Sequence, residues 1–293
     1  LAEWVVAPGP ASRELASALA KALKVELVDV EGRVFPDGES KVRLRGEVRD
    51  RNVILVQSTY PPVDRHLVQL LFLAHRISEE GGMVHAAVPY LAYARQDKEF
   101  LKGEVVSLAV VAHLLRSVGV KRLVTVDIHS VEGLGYFSFP AFSTSATPLL
   151  ARHFEERRLK DPVAISPDLG GSNRVEAFAR LMGIEHLALS KTRDRFTGEV
   201  SVRETSLPVD GRDVVLVDDI ISTGGSMCRA AELLKRSGAR NIYAACTHPL
   251  LVGDALERLK AAGIREVVGT NTIPSPVSRI DVSSLLRDYF ESM

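Results

Sequence analysis

The sequence predicts an α/β protein built on parallel sheets with helices covering their faces. Three observations carry this. Residues 53–56 (Val-Ile-Leu-Val), 123–126 (Leu-Val-Thr-Val) and 214–217 (Val-Val-Leu-Val) are apolar, β-branched runs of strand length. A strand buried on both faces reads as such a continuous run rather than as an alternation. Between the runs, residues 67–77, 107–117 and 227–237 carry apolar side chains at helical spacing. These helical segments also run into glycine, at Gly81-Gly82, Gly119 and Gly238, as helix C-termini favour. Strands alternating with helices imply βαβ units.

Composition narrows what such a protein does. Hydrophobic residues make up 46% and charged residues 25% of 293 positions, the balance of a globular protein. The 37 basic and 37 acidic side chains cancel, so no overall field draws the chain to nucleic acid or to a membrane surface. Residues 133–151 carry no charge and reach membrane-spanning length, but Pro140, Pro148 and many hydroxyl side chains exclude a lipid-facing helix. The first residues include Glu3 and lack the order of a targeting segment. Cys228 and Cys246 sit in apolar segments without CxxC spacing, which predicts buried, reduced thiols in a cytoplasmic setting. Arginine outnumbers lysine 27 to 10, which fits a thermophile or a GC-rich genome equally.

One internal echo bears on domain organisation. Residues 119–130 resemble residues 211–220 in outline: a charged turn, an apolar strand, then acidic residues at the strand end. Generic α/β patterning produces such a match as readily as duplication does. Read as duplication, it divides the chain into domains 1–142 and 143–293, with the Ser/Thr/Pro-rich segment 138–148 as the crossover.

The strongest candidate site is Val217-Asp218-Asp219-Ile220-Ile221-Ser222-Thr223-Gly224-Gly225-Ser226. A buried strand leads into two carboxylates, then a turn with two glycines and three hydroxyl residues, then a helix. Gly224 and Gly225 let the backbone approach a phosphate, and the helix N-terminus supplies N–H groups and a favourable dipole. Ser222, Thr223 and Ser226 add hydroxyl donors. Asp218 and Asp219 stand at the C-terminal end of a parallel strand, where α/β proteins bind ligands, and are suited to accept hydrogen bonds from ribose hydroxyls. A helix cap after a strand would account for the turn, but not for two acids beside two glycines.

This decapeptide resembles the phosphoribosyl-pyrophosphate loop of the type I phosphoribosyltransferase superfamily. Five further stretches narrow the resemblance to the ribose-phosphate pyrophosphokinase family: Phe35-Pro36-Asp37-Gly38-Glu39, Pro89-Tyr90-Leu91-Ala92-Tyr93-Ala94-Arg95-Gln96-Asp97, Asp127-Ile128-His129, Ser166-Pro167-Asp168-Leu169-Gly170-Gly171 and Thr270-Asn271-Thr272-Ile273. Each is weak alone; their number and order are specific. The resemblance implies two tandem phosphoribosyltransferase-type domains, the second carrying the ribose 5-phosphate loop. It also implies transfer of pyrophosphoryl from Mg·ATP to the C1 hydroxyl of ribose 5-phosphate, with AMP released.

Each implied site residue also has a plainer reading. Phe35 to Glu39 reads by itself as a β-turn, with Pro36 second and Gly38 fourth; by resemblance, Phe35 stacks on adenine while Asp37, Gly38 and Glu39 read its polar edge. In the family this loop reaches the active site of a neighbouring subunit, so at least a homodimer is implied. Arg95, Gln96 and Asp97 read as a solvated loop; the resemblance makes them ATP contacts, with Arg95 suited to bidentate pairing with phosphates. His129 reads as a hydrogen-bonded structural histidine. By resemblance it and Asp168 lie near the Mg²⁺ of the nucleotide, and the carboxylate is the harder ligand. No His or Cys spacing suggests zinc. Lys191, Thr192 and Arg193 precede a polar stretch, 196–200, with hairpin character. They read as surface charge or, by resemblance, as the catalytic loop whose Lys191 and Arg193 neutralise the transferring group, Arg193 also facing ribose 5-phosphate.

Neither GxxxxGK[ST] nor GxGxxG occurs, which argues against a P-loop and a Rossmann dehydrogenase. Two rivals remain: a phosphoribosyltransferase using the same loop, and a non-catalytic regulatory homologue. The first needs neither the Phe35 segment nor the Arg95-Gln96 segment. The second would be expected to lose the Lys191 and Arg193 cations or to carry a basic DNA-binding module, and neither departure is seen. Many bacterial members have Asp where this chain has Ser222 and Arg where it has Thr192; the Asp-Asp-Ile-Ile-Ser-Thr-Gly-Gly form is more similar to archaeal-type enzymes.

Overall fold

The computed structural model describes residues 3–189, 191–193, 200–202 and 207–293. By their internal contacts the residues form two units, Leu1–Ser145 with Asp281–Met293, and Ala146–Ile280. The junction falls three residues beyond the boundary expected at 142, inside the Ser/Thr/Pro-rich segment. The closing segment from Asp281 belongs to the first unit rather than to the second.

In chain order, the first unit comprises β1 (Trp4–Pro8), α1 (Arg13–Leu23), β2 (Glu26–Leu27), β3 (Val30–Val34), β4 (Ser40–Leu44), β5 (Asn52–Val56), α2 (Val63–Glu79), β6 (Met83–Ala87), α3 (Ser107–Ser117), β7 (Val120–Val126) and β8 (Ala141–Thr144). Six strands form one all-parallel sheet in the order β2-β1-β5-β6-β7-β8, while β3 and β4 pair as a separate antiparallel ribbon. Val53 to Val56 are fully buried, as their unbroken apolar run predicts for a strand covered on both faces. The helices present one apolar stripe each: Leu70, Leu73, Ala74 and Ile77 of α2, and Leu108, Val111, Ala112 and Leu115 of α3, enter the same core.

The second unit follows with α4 (Thr147–Glu155), β9 (Val163–Ser166), α5 (Ser172–Met182), β10 (Glu185–Ala188), β11 (Lys191–Arg193), β12 (Val200–Val202), β13 (Asp213–Ile221), α6 (Gly225–Arg236), β14 (Asn241–Pro249), α7 (Ala255–Ala261), β15 (Ile264–Thr270) and β16 (Ser278–Ile280). Its parallel sheet runs β10-β9-β13-β14-β15-β16, and β11 and β12 form the antiparallel ribbon. The topology is that of the first unit strand for strand, with a ribbon inserted at the same point. Gly81, Gly119 and Gly238 close α2, α3 and α6 with positive φ, as expected from their place in the sequence.

This repetition corrects the internal echo. The segment 119–130 contains β7, the fifth strand of its sheet in chain order, whereas 211–220 contains β13, the third of its own. The topological counterpart of β13 is β5, and that of β7 is β15. The two segments look alike because buried parallel strands look alike; strand order is what repeats.

Each repeat also ends away from its own sheet. The helix following β8 is α4, whose Leu150, Ala151 and Phe154 are buried in the second unit. There Phe154 meets Phe178 edge-on at 6.0 Å and Tyr243 at 6.1 Å. The helix following β16 is α8 (Ser283–Glu291), which packs in the first unit, with Phe290 5.8 Å from Trp4 and Tyr289 5.5 Å from Phe142. Aromatic side chains carry this docking because each brings a large apolar area.

Cys228 and Cys246 are free and buried, and burial raises both thiol pKa values. Among the described residues no helix is long and apolar enough to cross a membrane.

Candidate active site

In the second sheet the chain order reverses between β9 and β13: β10 lies on one side of β9 and β13 on the other. Parallel α/β sheets open a crevice at such a point, beyond the C-terminal strand ends. The predicted acids stand there. Asp218 and Asp219 lie within β13, which continues to Ile221, so the strand itself holds them in register beside β14. Asp168 follows β9 by two residues in extended conformation, leading through a single turn of 3₁₀ helix into α5. Ser166 donates its hydroxyl to the Asp168 carbonyl at 2.6 Å. A Cβ on Gly171 would lie 2.3 Å from Ser166 Oγ, so the tight turn presenting Asp168 requires glycine at that position.

Burial and charge set the character of this crevice. Asp219 is 5% exposed, and the Asp218 side chain is half-buried beside it. The Asp219 N–H donates to Asp218 Oδ1 and the Ile220 N–H to Asp219 Oδ1, both at 2.9 Å. Arg174, in the first turn of α5, places Nη1 3.6 Å from Oδ1 of each acid. Arg174 thus meets both adjacent carboxyls of β13 with one guanidinium. Burial first, and then the charge of Asp219, push the Asp218 carboxyl well above its ordinary range; Asp168 adds to the rise and Arg174 opposes it. The crevice thus gathers hard oxygen donors, one of them a carboxyl that readily holds its proton.

Beyond Ile221 the chain turns through Ser222, Thr223 and Gly224 into α6. Gly224 has φ +76°, and a Cβ there would also press on the Leu259 side chain of α7 at 3.3 Å. The loop is tied by the Val252 N–H to the Ser222 carbonyl at 3.1 Å and by Arg258 Nη1 to the Thr223 carbonyl at 3.3 Å. With its carbonyls bonded to the flanking segment, the turn is placed to offer N–H groups and the Ser222, Thr223 and Ser226 hydroxyls, at a helix N-terminus. Beside it, Thr270 and Thr272 belong to a buried hydroxyl network: both donate to the Thr247 carbonyl, at 2.8 and 2.9 Å, and His248 Nδ1 lies 2.9 Å from Thr272 Oγ1. That network joins the ends of β14 and β15, a structural use of the Thr270-Asn271-Thr272-Ile273 stretch.

The other predicted residues lie in the first unit or on the ribbons. Phe35 to Glu39 is the tip of the β3–β4 ribbon. The Gly38 N–H donates to the Phe35 carbonyl at 2.9 Å, the bond of a β-turn with glycine fourth. Asp37 and Glu39 are exposed, and the Arg33 guanidinium lies 5.1 Å from the centre of the half-buried Phe35 ring. Arg95 is exposed after β6, with Gln96 and Asp97 half-buried. The turn after β7 presents an exposed His129 and joins this loop through the Tyr136 hydroxyl, which donates to the Asp97 carbonyl at 2.8 Å. The structure thus gathers Asp168, Asp218, Asp219 and the glycine loop in one crevice, and Arg95, Gln96, Asp97 and His129 in linked loops of the other unit. Lys191 and Arg193 are on β11, paired antiparallel with β12 as the hairpin reading expects; their side chains and residues 194–199 lie outside the described residues.

Sequence reasoning missed Arg174. Its only signal is a cation three residues after Gly171, in the first turn of a helix that begins beside Asp168. Nothing local to it announces a partner on β13, since that pairing exists only once β9 and β13 are neighbours.

Known proteins resemble this chain over nearly its whole length. The chain matches the model of the N-terminal domain of ribose phosphate pyrophosphokinase over residues 4–119 and that of the phosphoribosyl synthetase-associated domain over residues 205–287. It is 40% identical to the ribose-phosphate pyrophosphokinase of Saccharolobus solfataricus over 95% of this chain and 97% of that one. It is 41% identical to that of Methanothermobacter thermautotrophicus over 96% and 98%. The crystal structure of phosphoribosylpyrophosphate synthetase from Mycobacterium smegmatis aligns with a TM-score of 0.88 at 31% identity, covering 99% of this chain and 98% of that one.

Proposed function

The chain belongs to the ribose-phosphate pyrophosphokinase family, and we propose from this premise that it transfers the pyrophosphoryl group of Mg·ATP to the C1 hydroxyl of ribose 5-phosphate. The products are 5-phosphoribosyl 1-pyrophosphate and AMP. The observation that carries the reading is the crevice between β9 and β13, where buried acids stand beside a glycine turn at a helix N-terminus. In it, the 5-phosphate binds the Ser222–Thr223–Gly224–Gly225–Ser226 turn, and the ribose hydroxyls donate to Asp218 and Asp219. Those hydrogen bonds ease the repulsion between the adjacent Asp218 and Asp219 carboxyls.

Among the described residues no three His, Cys, Asp or Glu side chains gather as a metal cage. Mg²⁺ fits such a site, because it takes few protein oxygens and completes its shell with water and substrate phosphates. Asp168 would supply a carboxylate oxygen to the ion, His129 is assigned to it by the family resemblance alone, and the ion would supply charge that neutralises phosphate oxygens. Arg95, Gln96 and Asp97 hold the nucleotide, and Phe35, Asp37, Gly38 and Glu39 read adenine. The exposed ribbon tip suits a role in a neighbouring subunit, so the working assembly is at least a dimer. The buried thiols suit a cytoplasmic setting.

In the reaction the C1 oxygen attacks the β-phosphorus, the bond from that phosphorus to the α-phosphate oxygen breaks, and the C1 hydroxyl gives up its proton. Transfer of this kind depends on alignment and on neutralising charge on the equatorial oxygens. Asp218 and Asp219 fix the sugar, and Lys191 and Arg193 supply the charge. The test is an assay for AMP with ATP and ribose 5-phosphate as the only substrates. Formation of AMP supports the reading. A protein that forms none, but joins 5-phosphoribosyl 1-pyrophosphate to a nucleobase, is a phosphoribosyltransferase instead.

A further inference from the structure

The segment between the Arg95-Gln96-Asp97 loop and α3 is organised by one carboxylate. Glu104 Oε2 accepts from the Phe100 N–H at 3.1 Å, the Leu101 N–H at 3.0 Å and Gln96 Nε2 at 3.2 Å. These donors, Leu101 foremost, hold the carboxyl below its ordinary range. Apolar packing does not order the segment, since Phe100 is 58% and Leu101 70% exposed.

The consequence falls on Gln96. Its amide nitrogen lies within hydrogen-bond distance of Glu104 Oε2 and of the Lys98 carbonyl, at 3.3 Å. Both partners are acceptors only at neutral pH, so the NH₂ end of the amide must face them. Oε1 then points away from Glu104, and no described residue donates to it. The Gln96 backbone is fixed separately, by its N–H to the Tyr93 carbonyl at 3.0 Å and by the Leu108 N–H to its own carbonyl at 3.3 Å. Glu104 therefore governs the side chain and not the course of the loop at Gln96.

We propose that Glu104 is a positioning residue of the nucleotide site: it turns the Gln96 amide so that Oε1 accepts a hydrogen bond from the nucleoside part of ATP. The proposal rests on reading Gln96 as a nucleotide contact. Phosphate oxygens are acceptors and cannot pair with an outward carbonyl oxygen, so the triphosphate falls to Arg95 and a ribose hydroxyl or the adenine amino group to Gln96. Without Glu104 the amide rotates freely, and ATP must order it on binding.

The test is steady-state kinetics on the full chain with ATP and ribose 5-phosphate varied separately, for Glu104→Ala, Glu104→Gln, Gln96→Ala and the double alanine variant. Glu104→Ala is expected to raise KM for ATP about tenfold, leaving kcat, KM for ribose 5-phosphate and the melting temperature near wild type. Glu104→Gln keeps an acceptor oxygen and is expected to stay within about threefold of wild type. The double variant is expected to be no worse for ATP than Gln96→Ala alone, because the two residues act as one unit. If Gln96→Ala weakens ATP and Glu104→Ala does not, the proposal is overturned while the Gln96 contact stands. If Gln96→Ala leaves KM for ATP unchanged, the contact and the proposal fall together.

Discussion

At the C-terminal ends of β1 and β5 the first sheet is knitted shut, whereas at the matching ends of β9 and β13 the second holds charge. Both places are switch points of one topology. In the first unit Gln57, Ser58 and Thr59 follow β5 fully buried, and neutral groups bond them to the chain around them. Gln57 Oε1 accepts from the Ala11 N–H at 3.0 Å, the Ser58 N–H donates to Ser12 Oγ at 2.8 Å, and Thr59 Oγ1 accepts from the Ala92 N–H at 2.8 Å. In the second unit the equivalent positions carry Asp218 and Asp219, with Arg174 and a glycine turn beside them. A buried neutral network satisfies its groups with one another; buried carboxyls at a strand end are groups that a ligand's hydroxyls can satisfy. The fold offers two crevices and the side chains leave one of them open.

The ribbons extend the comparison, because each unit inserts one between its second and third sheet strands. The largest expected effect lies on the second ribbon. Lys191→Ala should lower kcat by roughly 10²–10⁴-fold while ATP binding and the fold persist; a near-normal kcat would reduce this ribbon to a structural counterpart of the first. Next comes Asp218→Asn, which keeps the shape and the acceptor for the Asp219 N–H. It should lower kcat/KM for ribose 5-phosphate about 100-fold and raise the melting temperature by about 2 °C, since the cost of burying an ionisable carboxyl beside Asp219 is gone. A variant that melts lower and binds the sugar normally would make these acids a structural latch, as the first unit has.

The reverse experiment addresses the closed crevice. A Cβ on Gly9 would lie 2.1 Å from Gln57 Oε1 and 2.7 Å from Gln57 Cβ, so Gly9→Ala should cost about 2 kcal/mol of stability in denaturant unfolding. KM for ribose 5-phosphate should not move; if it does, the first crevice also touches substrate. The smallest effect is a pH response confined to the first unit. His85 is buried 4.8 Å from Trp4, and burial, then Arg122, lower its pKa to about 4. Because the unfolded chain takes up this proton more readily, the stability from neutral His85 is complete above about pH 6.5 and is lost as pH falls toward 4. Trp4, the single tryptophan, should report this by fluorescence, and His85→Phe should flatten the response.

The strands at 53–56, 123–126 and 214–217, the helix 107–117 and the glycine stops were legible because each depends on residues adjacent in sequence. The loop from Asp218 to Ser226 was legible for the same reason: acids, hydroxyls and glycines of one site are contiguous. The echo between 119–130 and 211–220 misled because local pattern identifies a buried parallel strand without saying which strand of the sheet it is. Arg174 was invisible because its partners lie 44 and 45 positions away, on another strand. Glu104 carries no signal in the sequence, because its tie to Gln96, eight positions away, depends on how the intervening segment folds back.

By itself, then, the sequence determined the α/β class, the glycine turn at a helix N-terminus and the acids and hydroxyls beside it, since these follow from short-range periodicity and from residues that act as neighbours. Tertiary structure alone decided that the sheets share one strand order, that α4 and α8 each leave the repeat they end, and that the crevice between β9 and β13 gathers Asp168, Asp218 and Asp219 beside Arg174. Those facts depend on which strands lie side by side, and burial and Coulomb interaction across a sheet act on spatial neighbours however far apart they stand in the chain.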